Sequence, residues 1–278
     1  MKLLTVLFEE KTYSAASNDG KTAKLYDMDI LEFAEKLDLS EDPMPVAEKE
    51  LKDLKILAPI VYPAQDVLCL GLNFYDHQKE ISKLGSEYRS ERGNAVYFSK
   101  RANFVIGPDE YIDGHFDFVE KLDYEVELAV VIKKDAYKVK KEDAFDYVLG
   151  YSVFNDITAR DVQLAHTQYH FGKSLDSFCA MGPWIVTADE LPFEPELEIF
   201  CFVNGERRQH SNTNLMIFGI AEVIEELSRG MMLKAGSIIS MGTPGGVAIG
   251  MNPPKFLRSG DEVVCEIEKI GVLRNIVK

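Results

Sequence analysis

Runs of β-branched and aromatic residues, bounded by Gly, Pro, Asn or Asp, recur along most of the chain after residue 60. Such runs are typical of β-strands. Apolar residues at helical spacing are rarer and are clearest in segments 30–37 and 217–227. Because strands and helices do not alternate regularly, the pattern disfavours a doubly wound sheet or a TIM barrel. It predicts an α+β fold built on a large mixed sheet or roll.

The first 60 residues have a pattern of their own. Two short strands are predicted around the turn signal "NDG" at 18–20, and a helix is predicted after Asp29, which is a suitable N-cap. Pro59 interrupts any helix at the end of this stretch. We therefore predict a small N-terminal α+β domain over residues 1–60 and a larger domain over residues 61–278.

The charge balance limits the partners of the protein. The chain carries 31 Lys and Arg against 46 Asp and Glu, a formal net charge of -15, which would repel nucleic acid and anionic membranes. An anionic substrate would need a local reversal of charge, most simply from a bound cation. The four cysteines lie apart with no CxxC pair, and no apolar run has the length of a membrane span. These features predict a cytoplasmic protein with reduced thiols.

Two glutamates stand one residue apart in "DYEVELAVVI" at 123–132. In a strand, Glu125 and Glu127 project from the same face and can converge on one cation. A polar strand face in water would give the same spacing. However, Ala129 and Val131 continue this face as apolar, which places the carboxylates at the edge of a core. Buried charges persist when they are paired or metal-bound.

A third carboxylate, Asp156, ends the apolar run "GYSVFND" and precedes "ITARDVQLAH", which could start a helix. Strand ends are frequent positions for ligand-binding residues, although Asp156 could also be a plain helix N-cap. Glu125, Glu127 and Asp156 together would offer only hard oxygen ligands. Such a set favours Mg²⁺, Mn²⁺ or Ca²⁺ over zinc or copper.

A candidate general base lies in "DHQKEISKL", where His77 and Glu80 are three residues apart. On a helix the two side chains can meet, and a Glu that accepts from one imidazole nitrogen raises the basicity of the other. An ordinary surface pair would have the same spacing. The charged stretch 85–94 that follows could form a mobile lid. His166 and His170, at i and i+4, could bind a metal on a helix but lack the Glu of an HExxH motif.

The glycine-rich segment "MGTPGGV" at 241–247 has no GK[ST] sequence and is not a phosphate loop. Its backbone amides and Thr243 could still hold a carboxylate.

Several of these segments form an ordered set. The chain contains, in this order, "LAPIVYPAQDVLCLGLNFYDHQKE", "LDYEVELAVVI", "GYSVFNDITARDVQ", "GKSLDSFCAMGPWIV", "VNGERRQ", "MGTPGGV" and "SGDEVVCEIEKIGVLRN". In order and content the set resembles the fumarylacetoacetate hydrolase superfamily over most of residues 57–275. The resemblance implies a mixed β-sandwich or β-roll with few helices, usually homodimeric. The N-terminal residues are similar to the small extra domain of two-domain members.

The resemblance also implies roles for individual residues. Metal ligands would be Glu125, Glu127 and Asp156, for Mg²⁺ with Mn²⁺ or Ca²⁺ as substitutes. Catalytic residues would be His77 and Glu80, which activate water or move a proton, and Lys173, which stabilises negative charge on the substrate. The pocket for a 2-oxo acid would be lined by Arg160, Gln163 and Thr243.

The reaction expected first from this resemblance is hydrolysis of a C–C bond in a 2,4-dioxo acid such as an acylpyruvate or fumarylpyruvate. The cation would polarise the 2-oxo group and stabilise an enolate. Decarboxylation or isomerisation of a 2-oxo dicarboxylate, such as oxaloacetate or an intermediate of aromatic catabolism, is the alternative. A protein that binds a dicarboxylate without turnover is a third possibility, which His77 and Glu80 disfavour. Phe74 and Tyr75 depart from the common family pattern, so the distal group of the substrate is not predicted.

Overall fold

The structure, a computed structural model, describes residues 1–41, 43–82 and 92–278 and consists mainly of β-strands. The strands are β1 (Lys2–Phe8), β2 (Lys11–Ser17), β3 (Thr22–Tyr26), β4 (Ala47–Glu50), β5 (Lys55–Ile56), β6 (Val67–Gly71), β7 (Val96–Lys100), β8 (Tyr111–Ile112), β9 (Leu122–Asp123), β10 (Val126–Ile132), β11 (Val148–Asp156), β12 (Thr158–Ala159), β13 (Cys179–Thr187), β14 (Glu198–Val203), β15 (Glu206–Asn212), β16 (Ile238–Ser240), β17 (Glu262–Ile267) and β18 (Gly271–Val277). The α-helices are α1 (Ile30–Asp38), α2 (Tyr75–Ser82), α3 (Arg160–Ala165), α4 (His170–Lys173) and α5 (Ile220–Ser228).

Two main sheets organise the described residues. Eleven strands form a mixed sheet in the order β4-β3-β2-β1-β13-β11-β10-β16-β6-β7, with β5 beside β1. Five strands form a second sheet in the order β15-β14-β17-β18-β8. The predicted α+β fold with few helices and a mixed sheet is confirmed.

The central strands β10 and β11 are buried on both faces. One face of β10 carries Val126, Leu128 and Val130, which belong to the largest apolar cluster together with residues of the second sheet. Ala129 and Val131 on the other face belong to a cluster that includes residues of α1. A strand covered on both sides needs apolar residues at nearly every position, which explains why "VELAVVI" lacks simple alternation.

The N-terminal residues form the antiparallel strands β1 to β4, and β1 also pairs with β13 through Lys2 and Leu3. Helix α1 begins after Asp29, whose carboxylate accepts hydrogen bonds from the backbone N–H groups of Leu31 and Glu32 at 2.8 and 3.0 Å. The predicted N-cap is therefore confirmed. The main sheet continues from this region into β13, and the division of the chain after residue 60 stays a prediction.

One helix prediction was wrong in detail, and the disfavoured helical pair of histidines does not occur. Helix α5 begins after Gly219, so Ile217 lies before the helix and its backbone N–H donates to the carbonyl of Asn73. His166 and His170 do not share a helix, because α3 ends at Ala165 and the chain at His166 is extended. The two rings contact different backbone carbonyls, so the i, i+4 metal pair is not formed.

The remaining general expectations concern cysteines and membrane segments. All four cysteines are free thiols in the core, as predicted. None of the described helices is both long and apolar enough to cross a membrane.

Candidate metal centre and active site

Three carboxylates meet where β10 begins and β11 ends. Glu125 directly precedes β10, and the backbone N–H of Asp156 donates to the carbonyl of Glu125 at 2.9 Å across the antiparallel pair. One oxygen each of Glu125, Glu127 and Asp156 lies within 4.8 Å of the others. All three side chains are buried, and the residue that caps α3 is Ala159. Glu125 and Glu127 therefore do not lie on a solvated strand face, and Asp156 is not the N-cap of a helix.

Protein donors bind the oxygens of both glutamates. The Oε1 atom of Glu125 accepts from Nη2 of Arg160 at 2.5 Å. The Oε2 atom of Glu127 accepts from the hydroxyl of Ser240 at 2.5 Å and from the backbone N–H of Gly242 at 2.9 Å. The glycine-rich segment thus binds a carboxylate through its backbone, as its sequence suggested, and that carboxylate belongs to the protein itself.

Lys100, which the sequence did not single out, holds the third carboxylate. Its Nζ atom donates to Oδ1 of Asp156 and to the carbonyls of Ile157 and Phe178, at 3.0 and 2.7 Å for the two carbonyls. Lys100 is 0% exposed, and these contacts use all three N–H donors of its ammonium group. Fully buried lysines are rare unless paired, but the burial of Lys100 is visible only in the structure.

A second lysine bridges two of the carboxylates. Nζ of Lys173 donates to Oε2 of Glu125 at 2.7 Å and to Oδ2 of Asp156 at 2.8 Å. Burial opposes the charge of Lys173, but Asp156 and Glu125 raise its pKa above the ordinary value. Burial likewise opposes ionisation of Glu125, yet Lys173 and Arg160 lower the pKa of that carboxyl. Both groups are therefore charged at neutral pH.

Glu127 has the opposite electrostatic environment. Burial, followed by repulsion from Asp156 and Glu125, raises the pKa of Glu127 well above its ordinary value. A divalent cation among the three carboxylates would relieve this repulsion. The donor set consists of buried hard oxygens, so these residues fit Mg²⁺ or a similar cation.

Arg160 is fixed in place by a further buried acid. Its Nε donates to Oδ2 of Asp123 at 2.8 Å and its Nη1 to Oε1 of Gln163 at 3.2 Å. Asp123 also accepts from the backbone N–H groups of Ala248 and Ile249 at 2.8 and 3.1 Å. Asp123 was not predicted as a site residue, although it opens the same acidic stretch as Glu125.

The predicted base pair forms on α2. Nδ1 of His77 lies 3.2 Å from Oε2 of Glu80, and His77 is buried. The carboxylate of Glu80 in turn accepts from the backbone N–H of Gly246 at 3.0 and 3.2 Å. Gly246 has a φ of +104°, and a Cβ there would lie 2.1 Å from the carbonyl oxygen of Arg208. Only glycine therefore allows this loop to approach both strand β15 and the base pair.

The predicted lid, residues 85–94, falls mostly outside the described residues.

A cavity of about 380 Å³ joins the base to the carboxylates. Seven of the nine predicted site residues line it, namely His77, Glu125, Glu127, Arg160, Gln163, Lys173 and Thr243. The other two stand behind them: Asp156 contacts Lys173, and Glu80 contacts His77. The remaining wall is largely apolar and includes Leu72, Ile81, Phe98, Leu164 and Ile249. The structure thus brings all nine predicted residues together around one cavity.

The comparison with known proteins agrees with this arrangement. The family model for the fumarylacetoacetate (FAA) hydrolase C-terminal domain matches residues 66–278. The chain belongs to the fumarylacetoacetate hydrolase family. One family relative, the oxaloacetate tautomerase YisK of Bacillus subtilis strain 168, is 45% identical over 225 residues, which cover 81% of this chain and 73% of that protein.

Solved structures of family members resemble the whole chain. The fumarylacetoacetate hydrolase of the psychrophilic Exiguobacterium antarcticum has a TM-score of 0.86 and 36% identity, with 100% of this chain and 99% of that chain covered. The 2-hydroxyhepta-2,4-diene-1,7-dioate isomerase of Mycobacterium marinum has a TM-score of 0.78 and 28% identity, with 100% and 98% covered. The family therefore contains relatives named for hydrolysis and for isomerisation.

Proposed function

We propose that this protein is a divalent-cation-dependent isomerase that interconverts the keto and enol forms of a 2-oxo dicarboxylate of the oxaloacetate type. The observation that carries the proposal is His77, which is paired with Glu80 and lines the same cavity as Glu125 and Glu127 of the three-carboxylate centre. The similarity to the oxaloacetate tautomerase of B. subtilis supports it. From the sequence, isomerisation was the alternative to C–C hydrolysis. Isomerisation is now the first proposal.

The reaction moves one proton between C3 and the oxygen of the 2-oxo group. Nδ1 of His77 is engaged by Glu80, and Nε2 has no protein partner within the described part of the chain. Nε2 is therefore the atom that accepts the proton from C3 and delivers it to the oxygen of the former 2-oxo group, which completes the enol; the reverse reaction moves the proton back. Glu80 orients the ring and stabilises the imidazolium that forms transiently.

The charges of the centre suit an anionic substrate. Four buried carboxylates, Asp123, Glu125, Glu127 and Asp156, face three buried cations, Lys100, Arg160 and Lys173. When bound, a divalent cation would polarise the 2-oxo group, stabilise negative charge on its oxygen and reverse the sign of this cluster. Lys173 lies beside the carboxylates and would stabilise negative charge on the substrate, while Gln163 and Thr243 line the wall where its carboxylate would bind.

We propose Mg²⁺ as the working cation, with Mn²⁺ and Ca²⁺ as substitutes. The homodimer, the cytoplasmic location and a role in aromatic catabolism remain predictions of the family resemblance.

Hydrolysis of a C–C bond in a 2,4-dioxo acid is the second candidate, favoured by the 36% identity to the Exiguobacterium hydrolase over the whole chain. In that reaction His77 would take a proton from water rather than from carbon. Decarboxylation of oxaloacetate would use the same cavity with loss of CO₂.

The experiment that separates these reactions follows products. The purified protein with Mg²⁺ is given the enol form of oxaloacetate or an acylpyruvate, and absorbance of the enol and product masses are recorded. Faster loss of enol absorbance at unchanged mass supports isomerisation, whereas pyruvate with a free acid indicates hydrolysis and loss of CO₂ indicates decarboxylation. A protein that accelerates none of these, with or without added Mg²⁺, contradicts the proposal.

A further inference from the structure

Each carboxylate of the proposed metal centre has one oxygen bound by a buried protein donor, and Lys173 bridges the other oxygens of Glu125 and Asp156. Arg160 holds Oε1 of Glu125, and Lys100 holds Oδ1 of Asp156. Ser240 and the backbone of Gly242 hold Oε2 of Glu127. A cation that displaces the single ammonium group of Lys173, which lines the cavity, gains the second oxygens of Glu125 and Asp156, while Arg160 and Lys100 keep the first. Because the other donors come from three different elements, each carboxylate is then restricted to offering one oxygen.

This restriction matters because divalent cations differ in how they use carboxylates. Ca²⁺ takes six to eight oxygen ligands at about 2.3–2.6 Å and often binds both oxygens of a carboxylate. Mg²⁺ demands near-octahedral geometry at about 2.0–2.1 Å and takes single oxygens together with water or substrate. A cation that binds both oxygens of Asp156 would have to displace the ammonium group of Lys100.

Displacing Lys100 is costly for a structural reason. Its side chain is 0% exposed and its three donors are all satisfied, one by Asp156 and two by backbone carbonyls. Without Asp156 it would be a buried charge that has lost its partner. Ser240 is 0% exposed as well, and its hydroxyl and the Gly242 amide converge on one oxygen of Glu127.

We infer that Lys100 and Ser240 are positioning residues that keep the carboxylates single-oxygen ligands and thereby make the centre selective for Mg²⁺ or Mn²⁺ over Ca²⁺. This inference rests on the proposed cation site. It assigns a role to two residues that contact the ligands but do not face the cavity.

The test measures the ratio of Mn²⁺ to Ca²⁺ affinity on the full-length chain. Mn²⁺ binding is followed by electron paramagnetic resonance, and Ca²⁺ binding by its displacement of Mn²⁺. Both ions carry the same charge, so the loss of a positive side chain changes both affinities in the same direction. This electrostatic effect therefore largely cancels in the ratio of the two affinities. Lys100→Met frees Oδ1 of Asp156, and we expect the preference for Mn²⁺ to fall about tenfold, which is the lower end of the change in metal affinity that substitutions beside metal ligands typically cause.

Ser240→Ala is the second variant, because Lys100→Met leaves two buried carbonyls without a donor and could prevent folding. We expect Ser240→Ala to lower the preference for Mn²⁺ by less than Lys100→Met, since the Gly242 amide still holds Oε2 of Glu127. Ser152→Ala is the matched control: Ser152 is an equally buried serine on β11, and its hydroxyl donates to the carbonyl of Trp184 instead of to a metal ligand.

The outcomes separate the two proposals. A wild-type protein that binds neither ion contradicts the cation site and this inference together. The selectivity inference alone is overturned if the wild-type protein binds both ions and every folded variant has the same ratio of Mn²⁺ to Ca²⁺ affinity as Ser152→Ala.

Discussion

Asp19 and Asp156 both lie at the end of a β-strand, but their carboxylates are stabilised in different ways. Asp19 follows β2 on the surface and accepts hydrogen bonds from two backbone N–H groups of its own turn, at 2.8 and 2.9 Å. Asp156 ends β11 in the interior and is held by the side chains of Lys100 and Lys173. An exposed carboxylate can rely on water and nearby amides, whereas a buried one needs charged partners.

The two carboxylates also differ in how far along the chain their hydrogen-bond partners lie. The partners of Asp19 lie two and three positions further along the chain. Those of Asp156 are 56 and 17 positions away. The N-terminal turn should therefore contribute locally to stability, and the buried centre should control binding and chemistry. Four experiments test this contrast.

Glu127→Gln should have the largest effect. The amide keeps the size of the side chain but removes the negative charge that a cation needs. We expect a loss of Mn²⁺ affinity greater than the 10- to 100-fold typical of outer contacts, with turnover falling to background. Titration calorimetry with Mn²⁺ checks this, with the exposed Glu198→Gln as control. Unchanged Mn²⁺ binding in a folded Glu127→Gln protein would contradict the assignment of the centre.

His77→Ala should separate binding from chemistry. Loss of a general base typically costs about 10²- to 10⁴-fold in rate, and we expect a fall of that size in kcat. Mn²⁺ affinity should stay near that of the wild type, because His77 does not contact the three carboxylates through a hydrogen bond. His210→Ala, which removes a histidine paired with exposed Glu198, is the control. Full turnover by His77→Ala would rule out its proposed role.

Phe33→Ala should affect stability and leave the chemistry intact. Phe33 is buried on α1, stacks on Tyr26 with ring centroids 4.2 Å apart, and belongs to the cluster that backs β10. Removal of such a buried ring costs about 3–5 kcal/mol in the free energy of unfolding. Urea denaturation measures this, with exposed Leu39→Ala as control. A large loss of kcat in folded Phe33→Ala would show that the N-terminal region takes part in the reaction.

Asp19→Asn should have the smallest effect, and it depends on pH. Hydrogen bonds from the backbone N–H groups of Thr22 and Lys21 lower the pKa of Asp19 from 3.8 to about 2. The ionised carboxylate therefore stabilises the fold above pH 3.8, and this contribution is lost as the pH falls towards about 2. In thermal unfolding, the difference between the wild type and Asp19→Asn should shrink over that window. A difference that is constant from pH 5 to pH 2 would contradict the role of the charge.

The sequence predicted those features whose causes lie close together in the chain. The helix start after Asp29, the turn around Asp19 and the strand end at Asp156 each follow from neighbouring residues. The position of Glu125 and Glu127 at the edge of a core was also predicted, because Ala129 and Val131 continue the glutamate face as apolar residues.

Contacts between distant segments could not be predicted in this way. Lys100 and Ser240 reach their carboxylates across 56 and 113 positions, and neither carries a local signal of that contact. The role expected of Lys173 came from family resemblance, since spacing alone does not join it to Glu125. The spacing of His166 and His170 was equally uninformative, because the backbone is extended at His166 and the two residues do not share a helix.

The lysine contacts of the centre have a consequence for how the protein matures. Lys100 and Lys173 already bind the carboxylates through the polypeptide itself, so the interior charges are mostly balanced before any ion arrives. Zinc-finger domains, by contrast, are unfolded until their metal binds. A newly synthesised chain of this protein should reach its native form in metal-poor surroundings and acquire its cation afterwards. A chelator should then abolish turnover while leaving the circular dichroism spectrum unchanged.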